Sequence, residues 1–438
     1  YRPNAEMGNF EHISFDLGPT LSTWMLSHDP QTFARIVSQE RRNFKKYGVG
    51  NGIAQSYHHT ILPLATRHDK TIQVHWGLAD FEYRFGHPSA GLWLPEAAVD
   101  TETLEVLAEQ GVEFTVLAPW QVEGGTPDTT QPYKVELPSG KNIAVFLYDA
   151  DLSMRVSFDA GATSNGDTFL SQYINPRFAC TGVDPDAAQM VILASDGELY
   201  GHHQPFRDKF LAYLTKPNGN YPSGVGISFP GLWLQQNPPT ENICIRERTS
   251  WSCHHGVSRW REACGCAENG TWKLPLRTAI EQVAAVVDHE YFRVVSAYVE
   301  DPWKLLYEYI DVMHGKRSVQ DLIFSLTDKQ VSKEELKSLD YLLRAQYNKQ
   351  RSFTSCGWYF EDFDRLEPRN NVIFAAQAIW WTRLACGVDT IPQARQWFSA
   401  VQSWRTGLRA DTVFSAHLDR VRFEQLSFPF MNREPERY

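Results

Sequence analysis

The hydrophobic positions in the first two thirds of the chain fall into short apolar runs separated by amphipathic stretches. The clearest unit consists of an apolar run at 92–94, a helix-like stretch at 101–110 and a second apolar run at 112–117. Asp100 is a suitable N-cap for this helix and Gly111 a suitable C-cap. This order predicts a βαβ unit, whose parallel strands are buried on both faces.

Apolar runs at 143–147 and 190–194 predict two further buried strands. The segment 216–242 is rich in Pro, Gly and Asn, which predicts long loops. Beyond Pro275 the apolar spacing becomes helical. Helices are predicted at about 277–287, 303–313, 318–326, 333–350 and 370–385. The chain therefore combines an α/β part with a mainly helical part.

The charge of the chain narrows the range of partners. Its 438 residues carry a formal net charge of −10, which argues against a nucleic acid or an anionic membrane as the main partner. No long apolar stretch is present, so no membrane span is expected.

The cysteines indicate the compartment. The 7 cysteines are odd in number and unevenly spaced, which makes a disulfide framework unexpected and indicates a reducing compartment, the cytoplasm. The sequence opens at Tyr1 without a signal-peptide pattern, and we expect its natural start upstream.

Two of the predicted strands end in carboxylates. Glu96 closes the string GLWLPE, close to Trp93, and Asp196 follows the apolar run at 190–194. In α/β barrels, catalytic side chains lie at the C-terminal ends of the strands. Glu96 could instead cap a helix or pair with an arginine, and Asp196 could be the N-cap of a helix after Pro205.

A pair of carboxyl groups is the chemical requirement of glycoside hydrolysis. One group must be ionised to attack the anomeric carbon or to stabilise positive charge there, and the other must be protonated to donate to the leaving oxygen. Two strand ends of one barrel can hold the groups about 5–5.5 Å apart, the spacing typical of retaining enzymes. The polar residues after Asp196 include a second carboxylate, Glu198, and a histidine pair that begins at His202.

A further string combines cysteines and histidines. Cys253, Cys264 and Cys266 lie with two histidines in one short segment, and such a set could hold zinc as Cys₃His. The alternative is a substrate-facing loop that places Trp251 and a histidine such as His254 at a sugar, with thiols buried beneath it. We expect no metal here and keep zinc as the alternative, because the spacing matches no familiar zinc motif.

The strings GLWLPE and ASDGELYGHH, in this order and about 100 residues apart, resemble motifs of glycoside hydrolase family 57. This family contains α-amylases, 4-α-glucanotransferases and branching enzymes. The resemblance implies that Glu96 is the nucleophile and Asp196 the general acid/base. It also implies a substrate contact for His59, whose string HTILP resembles a family motif, although the residues alone equally allow a structural histidine. The further candidates for substrate binding are Trp93, Glu198, His202, Trp251 and His254.

The strings ISFDLGPTLSTW, TSWSCHHGVSRW, CGC and TSCGWYF resemble a subgroup of the family whose C-terminal part is a helical domain of unknown function. The resemblance implies an α/β fold: an incomplete (β/α)7 barrel over 1–242, followed by a mainly helical domain over 243–438 that contributes to the rim of the site. The family's first motif, a His-Gln-Pro string on the first barrel strand, is expected before Tyr1.

These expectations describe an enzyme that acts on α-glucans or maltooligosaccharides and needs no cofactor. It would be a retaining glycosidase or transglycosylase that works through a covalent glycosyl-enzyme intermediate. The alternative is a catalytically inactive carbohydrate-binding or regulatory protein on the same barrel. The presence of both carboxylates argues against that alternative.

Overall fold

The computed structural model describes residues 1–178, 188–215, 221 and 225–427. The chain divides into two compact units. The first unit comprises Tyr1–Ser56 and Gly77–Trp251, and the second comprises Tyr57–Trp76 and Ser252–Tyr438. The predicted domain boundary after residue 242 stays a prediction. None of the described helices is both long and apolar enough to cross a membrane.

The first unit contains the described strands, which form two three-stranded sheets. One sheet has the order β1-β2-β3 and is parallel, and the other has the order β4-β6-β5 with β5 antiparallel. A parallel bridge between Gly91 and Phe114 continues the first sheet toward the second. The strands are β1 (Phe15–Asp16), β2 (Gly52–Gln55), β3 (Leu92–Trp93), β4 (Phe114–Leu117), β5 (Tyr133–Glu136) and β6 (Asn142–Leu147).

Helices alternate with these strands, as the βαβ pattern predicts. The predicted N-cap is confirmed, because Asp100 accepts a hydrogen bond of 2.8 Å from the backbone N–H of Thr103. Gly111 follows the same helix with a left-handed φ of 82°. The helices that lie in the first unit or reach into it are α1 (Arg2–Met7), α2 (Pro19–His28), α3 (Pro30–Tyr47), α4 (Arg67–Phe85), α5 (Thr101–Glu109), α6 (Ala150–Phe158), α7 (Gly166–Phe169), α8 (Arg207–Leu214) and α9 (Pro230–Gln236).

The predicted strand at 190–194 is not a regular strand in the described structure. Isolated backbone bonds take the place of a ladder: Met190 N–H donates to Thr130 O and Asp149 N–H donates to Ile192 O, each at 2.8 Å. The side chains of this segment nevertheless point alternately to two opposite sides, as in a strand. Met190, Ile192 and Ala194 pack on a cluster that includes Phe114 and Phe146, whereas Val191 and Leu193 pack on a cluster formed mainly by residues of α6, α7 and α8.

The loop prediction for 216–242 is wrong for α9, which occupies Pro230–Gln236. Proline favours the first turn of a helix, where its missing N–H costs nothing, and the apolar residues that follow supply a buried face. Residues 216–220 and 222–224 lie outside the described residues.

The second unit is helical, and all five predicted helical stretches coincide with helices. Polar contacts as well as apolar packing stabilise its core. The buried ammonium group of Lys349 lies 2.7 Å from a carboxylate oxygen of Asp69 and 2.9 Å from one of Asp288. The remaining helices are α10 (Lys273–Val295), α11 (Pro302–Met313), α12 (Val319–Phe324), α13 (Lys333–Arg351), α14 (Cys356–Tyr359), α15 (Leu366–Cys386), α16 (Ile391–Phe398) and α17 (Ala410–Ser427).

Candidate active site

Glu96 lies in a single strained turn just after β3. Its φ is 58°, and that of Ala97 is 47°, so two consecutive non-glycine residues are left-handed. Such backbone is costly unless its surroundings hold it. Gln121 does so from one side, since its side-chain amide donates 2.7 Å to the carbonyl of Ala97. The turn presents the Glu96 carboxyl group, which is partly exposed, instead of burying it against the sheet.

Trp251 holds the other side of this turn. Its backbone N–H donates to the carbonyl of Glu96 at 3.0 Å, and its indole Nε1–H donates to Glu96 Oε2 at 2.9 Å. Aromatic neighbours fix the indole: Trp93 packs edge-on with ring centroids 5.1 Å apart, and Tyr148 packs edge-on at 6.2 Å. The donated hydrogen bond stabilises and orients the Glu96 carboxylate.

Asp196 lies in the first unit too, at the end of the apolar run 190–194. It precedes a single 3₁₀ turn at Gly197–Leu199, but its side chain makes no capping hydrogen bond among the described residues. The N-cap of α8 is Phe206. The helix-cap interpretation of Asp196 is therefore wrong.

The electrostatic surroundings of Asp196 set it apart from an ordinary surface carboxylate. Although its side chain is exposed to solvent, partial desolvation raises its pKa, and the negative charges of Glu198 and Glu96 raise the pKa further. The charge of His203 opposes these effects. The structure thus brings Glu96 and Asp196 within electrostatic reach of each other.

A fourth carboxylate, Asp16, completes this group. Burial raises the pKa of Asp16 to about 7, and the charges of Glu198 and Asp196 contribute to the increase. Asp16 is the last residue of β1, so it also ends an apolar strand. This strand is only two residues long, so the pattern of apolar positions did not reveal Asp16 as a candidate. We refer to Asp16, Glu96, Asp196 and Glu198 as the acidic cluster.

Two further groups from the first unit face Glu198. The hydroxyl group of Tyr1 donates to the carboxylate oxygen Oε1 of Glu198 at 2.6 Å. The backbone N–H of His203 donates to the backbone carbonyl of Glu198 at 2.9 Å. The rings of His202 and His203 lie 4.7 Å apart and are exposed. Of the predicted substrate-binding residues, Trp93, Glu198, His202 and Trp251 therefore lie in the same unit as the catalytic candidates.

The two other predicted substrate contacts, His59 and His254, lie in the second unit. His59 has a left-handed φ of 54°, and its Nδ1 lies 2.6 Å from the hydroxyl oxygen of Ser355. This contact fixes the ring of His59. His254 is exposed and follows Cys253 directly in the sequence.

Comparison with known families agrees with the motifs. Residues 20–219 match the family described as Glycosyl hydrolase family 57, and residues 269–418 match a domain of unknown function, DUF3536. The chain is similar to glycosyl hydrolase family 57 over residues 20–219, a segment that contains both Glu96 and Asp196. Among curated proteins it is similar to alpha-amylase 1 of Dictyoglomus thermophilum, with 23% identity over 203 residues. This match covers 44% of the chain and 26% of the amylase, so the chain spans about a quarter of that relative.

Solved structures confirm the fold class. An exo-type maltose-forming amylase from Pyrococcus sp. ST04 superposes with a TM-score of 0.69 at 16% identity, covering 98% of this chain and 75% of that chain. A branching enzyme from Thermococcus kodakaraensis superposes with a TM-score of 0.56 at 14% identity, and the match covers 93% of this chain and 90% of that enzyme's chain. The chain has the incomplete (β/α)7-barrel fold of this family, followed by a helical region.

Proposed function

We propose that this protein is a retaining α-glucan hydrolase or transglycosylase, with Glu96 as nucleophile and Asp196 as general acid/base. The unequal environments of these two carboxyl groups carry the proposal. The Trp251 indole donates to Glu96 and stabilises its carboxylate, whereas the raised pKa of Asp196 favours its protonated form. Two neighbouring carboxyl groups held in opposite protonation states are the arrangement that glycoside cleavage needs.

The proposed reaction has two steps. Glu96 attacks the anomeric carbon while Asp196 donates its proton to the glycosidic oxygen, so the C–O bond breaks and a glycosyl ester forms on Glu96. Asp196, now ionised, then removes a proton from water or from a sugar hydroxyl as that oxygen attacks the anomeric carbon. Glu96 leaves as a carboxylate, and Asp196 is again protonated.

The other members of the site have supporting roles in this proposal. Trp93 and Trp251 present aromatic surface beside Glu96, which suits the apolar face of a pyranose ring. Glu198 and His202 offer polar groups to sugar hydroxyls, and His59 and His254 are proposed as further substrate contacts. Asp16, whose pKa is raised by burial and by the charges of Glu198 and Asp196, is a further proton-holding group beside this pair.

The names of the relatives support an α-glucan as the substrate class. They include an amylase, a branching enzyme and a 4-alpha-glucanotransferase from Thermococcus litoralis, the last with a TM-score of 0.50 at 16% identity, covering 86% of this chain and 54% of that chain. Hydrolysis and transfer share the glycosyl-enzyme intermediate and differ only in the acceptor. We further propose a cytoplasmic location, because the 7 cysteines are odd in number and unevenly spaced and therefore do not suggest a disulfide framework.

Product analysis tests the proposal. The full natural chain is incubated with maltoheptaose and with amylose, and the products are separated by chromatography. Shorter sugars alone indicate hydrolysis, a ladder of longer sugars indicates transfer, and new α-1,6 linkages indicate branching. Proton NMR of the first products should show the α-anomer. A β-anomer would contradict retention, and binding of maltoheptaose without any turnover would favour a carbohydrate-binding protein instead.

A further inference from the structure

Four potential metal ligands converge in the second unit, outside the acidic cluster. The ligand atoms of Cys253, His255, Cys264 and Cys266 all lie within 4.8 Å of one another. Cys253 Sγ lies 3.7 Å from Cys266 Sγ and 3.9 Å from Cys264 Sγ, and His255 Nδ1 lies 3.4 Å from Cys266 Sγ. We call these four residues the thiol–histidine cluster.

The two sulfur–sulfur distances of 3.7 and 3.9 Å and the sulfur–nitrogen distance of 3.4 Å match those between ligands of one tetrahedral zinc ion. Zinc binds sulfur at about 2.3 Å and imidazole nitrogen at about 2.0–2.1 Å, so neighbouring ligands of a tetrahedral site lie about 3.8 Å apart for two sulfurs and about 3.5 Å for sulfur and nitrogen. A disulfide requires about 2.05 Å between sulfurs, and neither of these two sulfur pairs approaches that distance.

The local backbone is built to bring the four ligands together. They come as two pairs with one residue between the partners, Cys253 with His255 and Cys264 with Cys266. Gly265, between the second pair, has a left-handed φ of 76°, a conformation that side chains disfavour and that turns both neighbouring cysteines toward the same point. The first pair lies in a turn closed by the N–H of Gly256, which donates 3.1 Å to the Cys253 carbonyl.

A buried cation next to the cluster gives independent support. The Lys273 side chain is 1% exposed, and its Nζ donates 3.1 Å to the carbonyl of Arg259. Its charge interacts favourably with the charges of the three cysteines and unfavourably with that of Arg259. A buried ammonium requires compensating negative charge. Three thiolates around one divalent ion carry a net charge of −1, which compensates Lys273 where three neutral thiols would not.

We propose that Cys253, His255, Cys264 and Cys266 bind one zinc ion as a closed structural site. The donor set of three thiolates and one imidazole favours zinc over hard cations such as Mg²⁺ or Ca²⁺. Binding releases the protons of the three thiols to solvent and oxidises nothing. With four protein ligands the ion has no open position for a substrate, so its role is to hold the segment between Ser252 and α10 together.

Metal analysis tests this proposal on the wild-type full chain, purified without metal-affinity steps. Mass spectrometry of the elements should find about one zinc ion per chain, and a mercurial reagent that modifies thiols should release it to a chromogenic chelator. Less than about a tenth of an equivalent of zinc, after growth with added zinc, would overturn the proposal. So would iron or copper in its place, or two fewer titratable thiols in denaturant, which would indicate a disulfide.

Paired variants show which residues bind the metal. Cys264→Ser and His255→Ala should each lower the zinc content at least several-fold, while Cys244→Ser and His254→Ala should keep it at the wild-type level. Cys244 and His254 are matched controls because both are exposed and neither belongs to the cluster. If Cys264→Ser does not fold, cobalt replacement in the wild type decides: thiolate-to-cobalt charge-transfer bands support the site, and their absence with cobalt bound contradicts it.

Discussion

The acidic cluster of the first unit and the thiol–histidine cluster of the second each gather four ionisable side chains, but they differ in how charge is compensated. In the acidic cluster, burial and, after it, neighbouring negative charges raise the pKa of Asp16 and Asp196, so protons are retained there. In the thiol–histidine cluster, ligand spacing and a buried lysine favour a bound cation. The first arrangement suits proton transfer and the second suits a metal.

The largest effect is expected at the proposed nucleophile. Glu96→Gln keeps the shape of the side chain and removes its charge, so turnover of maltooligosaccharides should decrease by about 10³-fold or more while the thermal unfolding midpoint changes little. Glu102→Gln, an exposed residue on α5, is the matched control and should keep wild-type activity. Near-normal turnover of Glu96→Gln would remove Glu96 from the mechanism.

Loss of the proposed zinc ion should reduce stability. A site that contributes a few kcal/mol to unfolding should, when emptied by a strong chelator, lower Tm by about 5–10 °C, because each kcal/mol corresponds to about 2–4 °C in a domain of this size. Differential scanning calorimetry with and without chelator measures this, and added zinc should restore the original Tm. An unchanged Tm after verified zinc removal would mean that the bound ion does not stabilise the fold.

A smaller effect is expected at Trp251. Trp251→Phe retains an aromatic ring but removes the N–H that donates to Glu96 Oε2. A hydrogen bond to a charged group contributes about 1.5–3 kcal/mol, so kcat should decrease by about 10- to 100-fold. Trp233→Phe is the matched control, since the Nε1–H of Trp233 has no hydrogen-bond partner in the described part of the chain. Equal activities for the two variants would show that this contact does not position the nucleophile.

The last prediction concerns the dependence of stability on pH at Asp16 and involves no change in the proposed catalytic groups. Because its folded-state pKa is raised to about 7, the folded protein binds more protons than the unfolded chain between about pH 4 and 7, and stability falls as pH rises through that range. Asp16→Asn cannot ionise, so its Tm should exceed that of the wild type at pH 8, with no such gain at pH 4. A difference between the two proteins that does not change with pH would contradict this origin.

Much of the fold could be predicted from the sequence because apolar periodicity reports burial. The cap at Asp100 and the helices of the second unit follow from local rules that act over a few residues. The run at 190–194 shows the limit: its apolar residues predict a buried strand, but whether a ladder of hydrogen bonds forms depends on neighbours that are remote in sequence.

In the candidate site, too, local features could be predicted from the sequence and contacts between distant residues could not. Glu96 and Asp196 follow apolar strands, so their positions could be predicted, but the left-handed turn at Glu96 and its bond to Trp251 join residues 155 positions apart. Asp16 lies at the end of a strand only two residues long, too short for periodicity to reveal. For the cysteines the sequence left zinc and buried thiols open, and the distances between ligand atoms, together with the buried Lys273, favour zinc.

The central claim, a covalent glycosyl-enzyme on Glu96, is tested most directly by trapping it. The natural full chain is treated with a 5-fluoro-α-glucosyl fluoride, which forms the intermediate quickly and releases it slowly, and the labelled peptide is sequenced by mass spectrometry. The account predicts one glycosyl group on Glu96, none on Asp196 or Glu198, and no labelling of Glu96→Gln. A label on another carboxylate, or turnover of the reagent with inversion and no trapped ester, would contradict it.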